Sequence, residues 1–298
     1  MVLPNFLIIG AAKAGTTSLY HCLKQHPQIY MSPVKEPRFF ALEGESLHPD
    51  DVIHRQSITD LTDYLKLFQA VSAETAVGEV SPIYLTHAEA AVRIQHYIPR
   101  VKLIAILRNP LERAYSHFTH MRQTGVEPLS DFMKALREEE YRIGNFVRKR
   151  PYIPAGFYYV QLKRYLEIFD PQQVKVYLYE DWKQQPYQLL ENLFQFLDVD
   201  VSFMPSLSKQ YNAYGTPKSQ LIHQLTTKQN LLRSIAKALI PVDQREPLMR
   251  IIQRKNSIRT EMPDEAKNYL CQVYSADTLK LQDLIGRDLS GWLQLADG

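Results

Sequence analysis

Cysteine is nearly missing from this chain: Cys22 and Cys271 are the only two in 298 residues. That excludes a disulfide framework and a cysteine-built zinc site, leaves room for one bridge at most, and makes a reducing compartment the expected setting. A dominant charge sign is missing too, since 35 basic and 32 acidic side chains give a net charge of +3. A surface built to follow a phosphate backbone needs a larger excess, so no nucleic-acid partner is expected and any basic site is local. Long apolar runs are also lacking. The run Phe6 to Ile9 stops at Gly10 and Lys13, far short of a signal-peptide core or a membrane span of about 20 residues, so the expected location is the cytoplasm. None of the nine histidines forms an H-E-x-x-H pair, and no metal site is expected.

What the chain does contain is an ordinary globular composition, 45% hydrophobic and 22% charged, with no internal repeat. Phe6-Leu7-Ile8-Ile9 ends in a glycine turn and predicts a strand buried on both faces. Leu19, Tyr20 and Leu23 then recur at helical spacing until His26-Pro27 stops the helix. The strand Lys102 to Leu107 runs through Arg108-Asn109-Pro110 into a second helix, whose first turn accepts the proline. Val174 to Tyr179 and Ala76 to Val80 predict two more buried strands, and Leu61, Tyr64, Leu65 and Phe68 mark a helix before the latter. Strands alternating with helices predict an α/β fold with a central parallel sheet. After about residue 183 only helical periods remain, traced by Leu189 to Leu197 and by Asp264 to Leu284. The chain reads as one domain over 1–298, with insertions near 41–75 and 125–155. A polar, Tyr-, Gly- and Pro-bearing loop near 206–219 has the character of a lid.

Gly10-Ala11-Ala12-Lys13-Ala14-Gly15-Thr16-Thr17 has the glycine spacing of a phosphate-binding loop between strand and helix. Small residues let backbone N–H groups converge on an anion, and the helix N-terminus adds its positive dipole end. In Mg-nucleotide enzymes lysine follows the second glycine and an acidic residue at a strand end helps hold the metal. Here Thr16 fills the lysine slot, the lysine stands at position 13, and the Lys102–Leu107 strand delivers Arg108. A site that replaces Mg²⁺ by fixed cations suits a sulfuryl group, which carries one negative charge rather than the nearly two of a phosphoryl.

With these motifs the chain resembles the PAPS-dependent sulfotransferases (PAPS, 3′-phosphoadenosine 5′-phosphosulfate), in particular bacterial members related to heparan sulfate-type domains. The resemblance covers most of the chain and implies a P-loop NTPase-like three-layer fold with a helix-rich C-terminal part. It implies PAPS as co-substrate, adenosine 3′,5′-bisphosphate as product, and a hydroxyl or amine of a carbohydrate, lipid or small molecule as acceptor. Lys13, Ala14, Gly15, Thr16, Thr17 and Ser18 match the 5′-phosphosulfate loop. In Leu107-Arg108-Asn109-Pro110-Leu111-Glu112-Arg113-Ala114-Tyr115-Ser116, Arg108 and Ser116 match the pair that grips the 3′-phosphate. Lys35-Glu36-Pro37-Arg38-Phe39-Phe40 resembles the segment carrying the catalytic glutamate, which implies Glu36 as base.

Gly78-Glu79-Val80-Ser81-Pro82-Ile83-Tyr84 resembles a segment whose glutamate is commonly followed by lysine. Val80 replaces that lysine, and Lys35 or Arg38 is the candidate substitute. Glu79 is either a second acid/base group or a structural partner of Lys13 or Arg38. Tyr158, in Gly156-Phe157-Tyr158-Tyr159, and Lys218, in the late loop, are further candidate nucleotide contacts. Two alternatives stay open at this point: a Mg-ATP-dependent P-loop kinase of small molecules, and a nucleotide-binding protein without catalysis. Oligomeric state is not legible in the sequence.

Overall fold

The computed structural model describes residues 2–46, 57–142, 152–207, 216–217, 257–258 and 260–295. In chain order the elements are β1 (Phe6–Gly10), α1 (Thr16–Leu23), β2 (Ile29–Met31), α2 (Phe39–Leu42), α3 (Leu61–Lys66), β3 (Ala76–Val80), α4 (Ala90–Tyr97), β4 (Lys102–Leu107), α5 (Pro110–Gln123) and α6 (Phe132–Arg142). They are followed by α7 (Tyr158–Leu166), β5 (Val174–Leu178), α8 (Tyr179–Gln184), α9 (Pro186–Phe196), β6 (Thr216–Pro217), β7 (Ser257–Ile258) and α10 (Asp264–Ile285).

Five strands form one sheet in the order β2-β3-β1-β4-β5, and every pair in it is parallel. The four expected strands are present. The sheet also gains β2, whose Ile29–Met31 pair with Ala76–Gly78 at one edge. Continuous apolar runs are required because the strands are covered on both faces: every residue of β1 and β3 is buried. Each large apolar side chain among them, such as Phe6, Leu7, Ile8 and Ile9, contributes about 1.5–3 kcal/mol on burial. Phe6 lies opposite Gly78 across the β1–β3 ladder, and its ring occupies the space a side chain at 78 would need.

Helix ends follow local chemistry. Asp60 caps α3 by accepting from Thr62 N at 2.8 Å and Asp63 N at 3.2 Å, and Pro186 opens α9, where a missing N–H costs nothing. Cys22 and Cys271 are both buried and form no disulfide.

The chain divides into two compact units. The first comprises Met1–Pro110, Pro154–Tyr211 and Tyr274–Leu293 and contains the parallel sheet. The second comprises Leu111–Ile153, Asn212–Val273 and Gln294–Gly298. In the second, Phe132 packs among Tyr115, Phe118 and Tyr152. The buried Arg113 donates to the Tyr152 carbonyl. After residue 183 the sequence shows no strand, yet a two-residue antiparallel pair, β6–β7, is present there. Two residues are too short for any alternation to register.

Because the strands of the sheet run parallel, their C-terminal ends share one edge. From β1 the chain moves to one side for β2 and β3 and to the other for β4 and β5, which places the expected ligand crevice at the end of β1. Gly78→Ala is expected to destabilise the protein by about 1–3 kcal/mol, because the new Cβ would lie 2.4 Å from the Phe6 ring. Urea unfolding of the two forms measures it.

Candidate active site

The loop after β1 is tied down at both ends: Ala11 N donates to the Ile106 carbonyl of β4 at 2.8 Å, and Ala14 N to Ala11 O at 3.2 Å. Lys13 adopts φ 72° and Gly15 φ 93°, both left-handed. Gly15 is required twice over, because a Cβ there would also meet the Tyr179 ring at 3.0 Å. No side chain caps α1, so the N–H groups of its first turn have no intrahelical acceptor and face the loop mouth. Ala14 and Thr16 are buried, while Lys13, Thr17 and Ser18 are half-buried. The six residues expected to cradle a 5′ anion therefore form one turn.

Arg108, at the end of β4, reaches this loop. Its Nη1 donates to the Lys13 carbonyl at 3.3 Å, and its guanidinium stacks on the Tyr179 ring at 5.0 Å. Lys183 Nζ lies 5.1 Å from the same ring, so two cations share one aromatic face system. The buried Tyr158 donates its hydroxyl to the Arg108 carbonyl at 3.0 Å. Asp277 of α10 fixes α7 by accepting from Tyr159 N at 3.1 Å. Tyr158 thus supports Arg108 from below through the backbone. Ser116 lies in α5 about two turns beyond Asn109, half-buried, and belongs to the second unit. Lys218 and most of the expected lid at 206–219 lie outside the described residues, as does part of each expected insertion.

Glu36 follows β2, and its N–H donates to the Val80 carbonyl at 2.9 Å, which ties it to the end of β3. Its carboxylate receives Lys35 Nζ at 2.9 Å on one oxygen and Arg38 Nη2 at 2.7 Å on the other. The two cations proposed to replace the lysine at position 80 both engage Glu36, while Val80 itself is buried in the sheet. Glu36 and Arg38 have φ of 61° and 62°, values that cost non-glycine residues about 1–3 kcal/mol each.

Glu79 is fully buried. Its Oε1 accepts from the hydroxyls of Tyr84 at 2.6 Å and Tyr64 at 3.4 Å, and its Oε2 has no hydrogen-bond partner among the described residues. The hydrogen bonds that hold it thus come from tyrosines rather than from Lys13 or Arg38. Burial pushes its carboxyl up to about 7; the Tyr84 and Tyr64 hydrogen bonds and the nearby Ser81 hydroxyl oppose that rise, and the neighbouring charge of Glu36 adds to it. The Tyr64 and Tyr84 hydroxyls are driven well above their ordinary range, chiefly by burial and then by Glu79.

Two groups emerge at one sheet edge: Lys13, Gly15, Arg108 and Tyr158 around the β1–β4 junction, and Glu36 with Glu79 beside β2 and β3. Sequence reading missed Tyr179, Lys183, Tyr64 and Tyr84. Tyr179 reads in the sequence as the end of the Val174–Tyr179 strand, and a tyrosine at a strand end carries no mark of whether it faces a ligand loop.

The fold is α/β, a central five-stranded parallel sheet flanked by helices. A family model described as "Sulfotransferase domain" matches residues 3–230. The crystal structure of a sulfotransferase from Alicyclobacillus acidocaldarius is similar at 32% identity and a TM-score of 0.77, covering 99% of this chain and all of that one. Bifunctional heparan sulfate N-deacetylase/N-sulfotransferase 4 from Mus musculus is 26% identical across 98% of this chain. Carbohydrate sulfotransferase 15 from Homo sapiens is 27% identical across 66%. The chain spans 31% and 44% of the length of these two relatives. The chain belongs to the sulfotransferase-domain family, and transfer of a sulfuryl group is favoured over the Mg-ATP kinase. No helix among the described residues is long and apolar enough to cross a membrane.

Glu79 makes stability depend on pH with a definite sign. The folded state holds this proton up to about pH 7, whereas an unfolded glutamate releases it near 4.5. The folded state therefore binds more protons between those values, and stability present below 4.5 is lost as pH rises through 7. Glu79→Gln is expected to be less sensitive over this window, recovering on the order of 2 kcal/mol at pH 8 relative to pH 5. Denaturant midpoints at the two pH values measure it.

Proposed function

We propose that this sulfotransferase takes its sulfuryl group from PAPS and passes it to a hydroxyl or amine, with adenosine 3′,5′-bisphosphate as the second product. The observation that carries this is the link between the two anion-directed motifs: Arg108 bonds the backbone of Lys13 at 3.3 Å beside an uncapped helix N-terminus. Backbone donors and fixed cations thus converge where a doubly phosphorylated nucleotide would lie. Lys13 and Arg108 supply the positive charge that a divalent ion supplies in Mg-ATP enzymes, and no metal is assigned.

The acceptor's oxygen or nitrogen attacks sulfur as the bond from sulfur to the 5′-phosphate oxygen breaks. The electron pair leaves on that oxygen, next to Lys13 and the α1 N-terminus, and the acceptor's proton goes to Glu36. Gly15 to Ser18 hold the 5′ end, Arg108 the 3′-phosphate, and Tyr158 keeps Arg108 in place; Ser116 and Lys218 are nucleotide contacts that the resemblance implies. Acceptor chemistry follows the mouse and human relatives, whose names specify heparan sulfate and carbohydrate, so a carbohydrate is the first class to test. We assign a single sulfotransferase domain and a cytoplasmic setting.

Calorimetric titration with adenosine 3′,5′-bisphosphate, and separately with ATP plus Mg²⁺, tests the nucleotide assignment. Tight binding of the bisphosphate is expected, weakened about 10- to 100-fold in Arg108→Ala, the loss of one charge-assisted contact set. Binding of ATP with Mg²⁺ alone would overturn the assignment. With PAPS and a sulfuryl acceptor found by screening, Lys13→Ala and Glu36→Gln are each expected to lose about 100-fold or more in kcat while keeping the far-UV circular dichroism of the parent. Retained turnover removes the role of the residue concerned.

A further inference from the structure

Glu79 sits in the sheet with no access to solvent, so it cannot touch an acceptor directly. It is nonetheless built as more than filler. One oxygen is held by Tyr84 at 2.6 Å and Tyr64 at 3.4 Å, while the other has no partner among the described residues. A carboxyl placed only for packing would be better replaced by an apolar side chain of similar size. The surrounding aromatic shell, with Phe39 stacked on Tyr64 at 4.6 Å and Phe40 against Tyr84 at 5.6 Å, keeps the local dielectric low. In such surroundings a charge acts strongly on its neighbours.

The like charge that acts on it is Glu36. Its N–H is bonded to the carbonyl of Val80, the residue after Glu79, and Arg38 N is bonded to Ser81 Oγ at 3.0 Å. The Glu36 loop is therefore fastened to the strand end that carries Glu79. The groups facing Glu79 are Tyr84 and Ser81 beyond β3, Tyr64 from α3, and Glu36 from the segment after β2 with its own cations Lys35 and Arg38. From β1 its register partner is the apolar Leu7.

We propose that Glu79 is a positioning residue for Glu36: a buried carboxylate whose negative charge, once ionised, raises the proton affinity of Glu36 and so strengthens it as the base. Coupling of this kind is reciprocal, since the charge of Glu36 that opposes ionisation of Glu79 is opposed equally by it. Because Glu79 ionises near neutrality, the strength of Glu36 as a proton acceptor changes with pH through a group that never meets substrate. This rests on Glu36 as the base, and the test separates the two ideas.

The experiment follows the side-chain carboxyl carbons of Glu36 and Glu79 by NMR in protein labelled with ¹³C-glutamate, from roughly pH 5 to pH 9, a range wide enough to bracket the transition. The expected result is a Glu79 transition near pH 7 and a step in the Glu36 signal at the same pH, absent from Glu79→Gln. Tyr84→Phe keeps the carboxylate but removes its shortest hydrogen bond. It is expected to move both steps upward together by about one pH unit, which also serves if Glu79→Gln fails to fold. A Glu36 signal identical in the parent and Glu79→Gln, or a Glu79 transition in the ordinary carboxylate range, overturns the coupling. Full turnover in Glu36→Gln would remove the base assignment while leaving that NMR result standing, so the two failures are distinguishable.

Discussion

The ring of Tyr179 fixes the geometry of the loop after β1 and of Arg108, the groups proposed to hold the nucleotide. It stands at the end of β5, leaves no room for a side chain at Gly15, and offers its π face to the Arg108 guanidinium. The phosphate loop after β1 and the arginine after β4 are thereby referred to one rigid aromatic body. The Lys13 carbonyl closes the arrangement by accepting from Arg108. Spacing between two anion-binding groups matters more than the strength of either, because displacement of about an ångström forfeits most of the benefit of preorganisation.

Strain is distributed accordingly. Of the non-glycine residues with left-handed backbone, Lys13, Glu36 and Arg38 all belong to the candidate site. Such conformations persist only where surrounding bonds over-determine them. Around Glu36 those bonds are visible: the backbone ties to Val80 and Ser81 and the bidentate grip of Lys35 and Arg38. The double ion pair has a second consequence. It orients both oxygens of the carboxylate, so a proton arriving there would compete with a cation already present.

Much of this was legible in the residues. The Phe6–Ile9 run, the paired glycines and the strand leading into Arg108 each carry a local signal, because burial on both faces and a tight turn restrict residue type directly. Edge strand β2 was not legible: Ile29–Met31 is three residues long between Pro27 and Pro33, and no period can declare itself over that length. The partners of Glu79 were hidden for a different reason. Tyr64 lies 15 residues upstream in helix α3, and nothing local distinguishes a tyrosine that donates to a buried carboxyl from one that fills a core. The same holds for Tyr179 and Gly15, whose contact joins opposite ends of the sheet's chain order. Long-range polar contacts are consequences of topology, and topology emerges only once the strand order is known.

Strand order has one more implication, for how such an enzyme changes over generations. β1 separates β4 and β5, which carry Arg108 and Tyr179, from β3 and β2, which carry Glu79 and lead into Glu36. The groups proposed for the donor and those proposed for the acceptor therefore ride on different halves of the sheet and share only its C-terminal edge. On the proposed reading, mutations accumulating in the segments after β2 would reshape what is sulfated without disturbing the nucleotide site. On that reading the architecture is modular in the evolutionary sense: one half would be held to a fixed donor, while the other would be open to drift toward new acceptors.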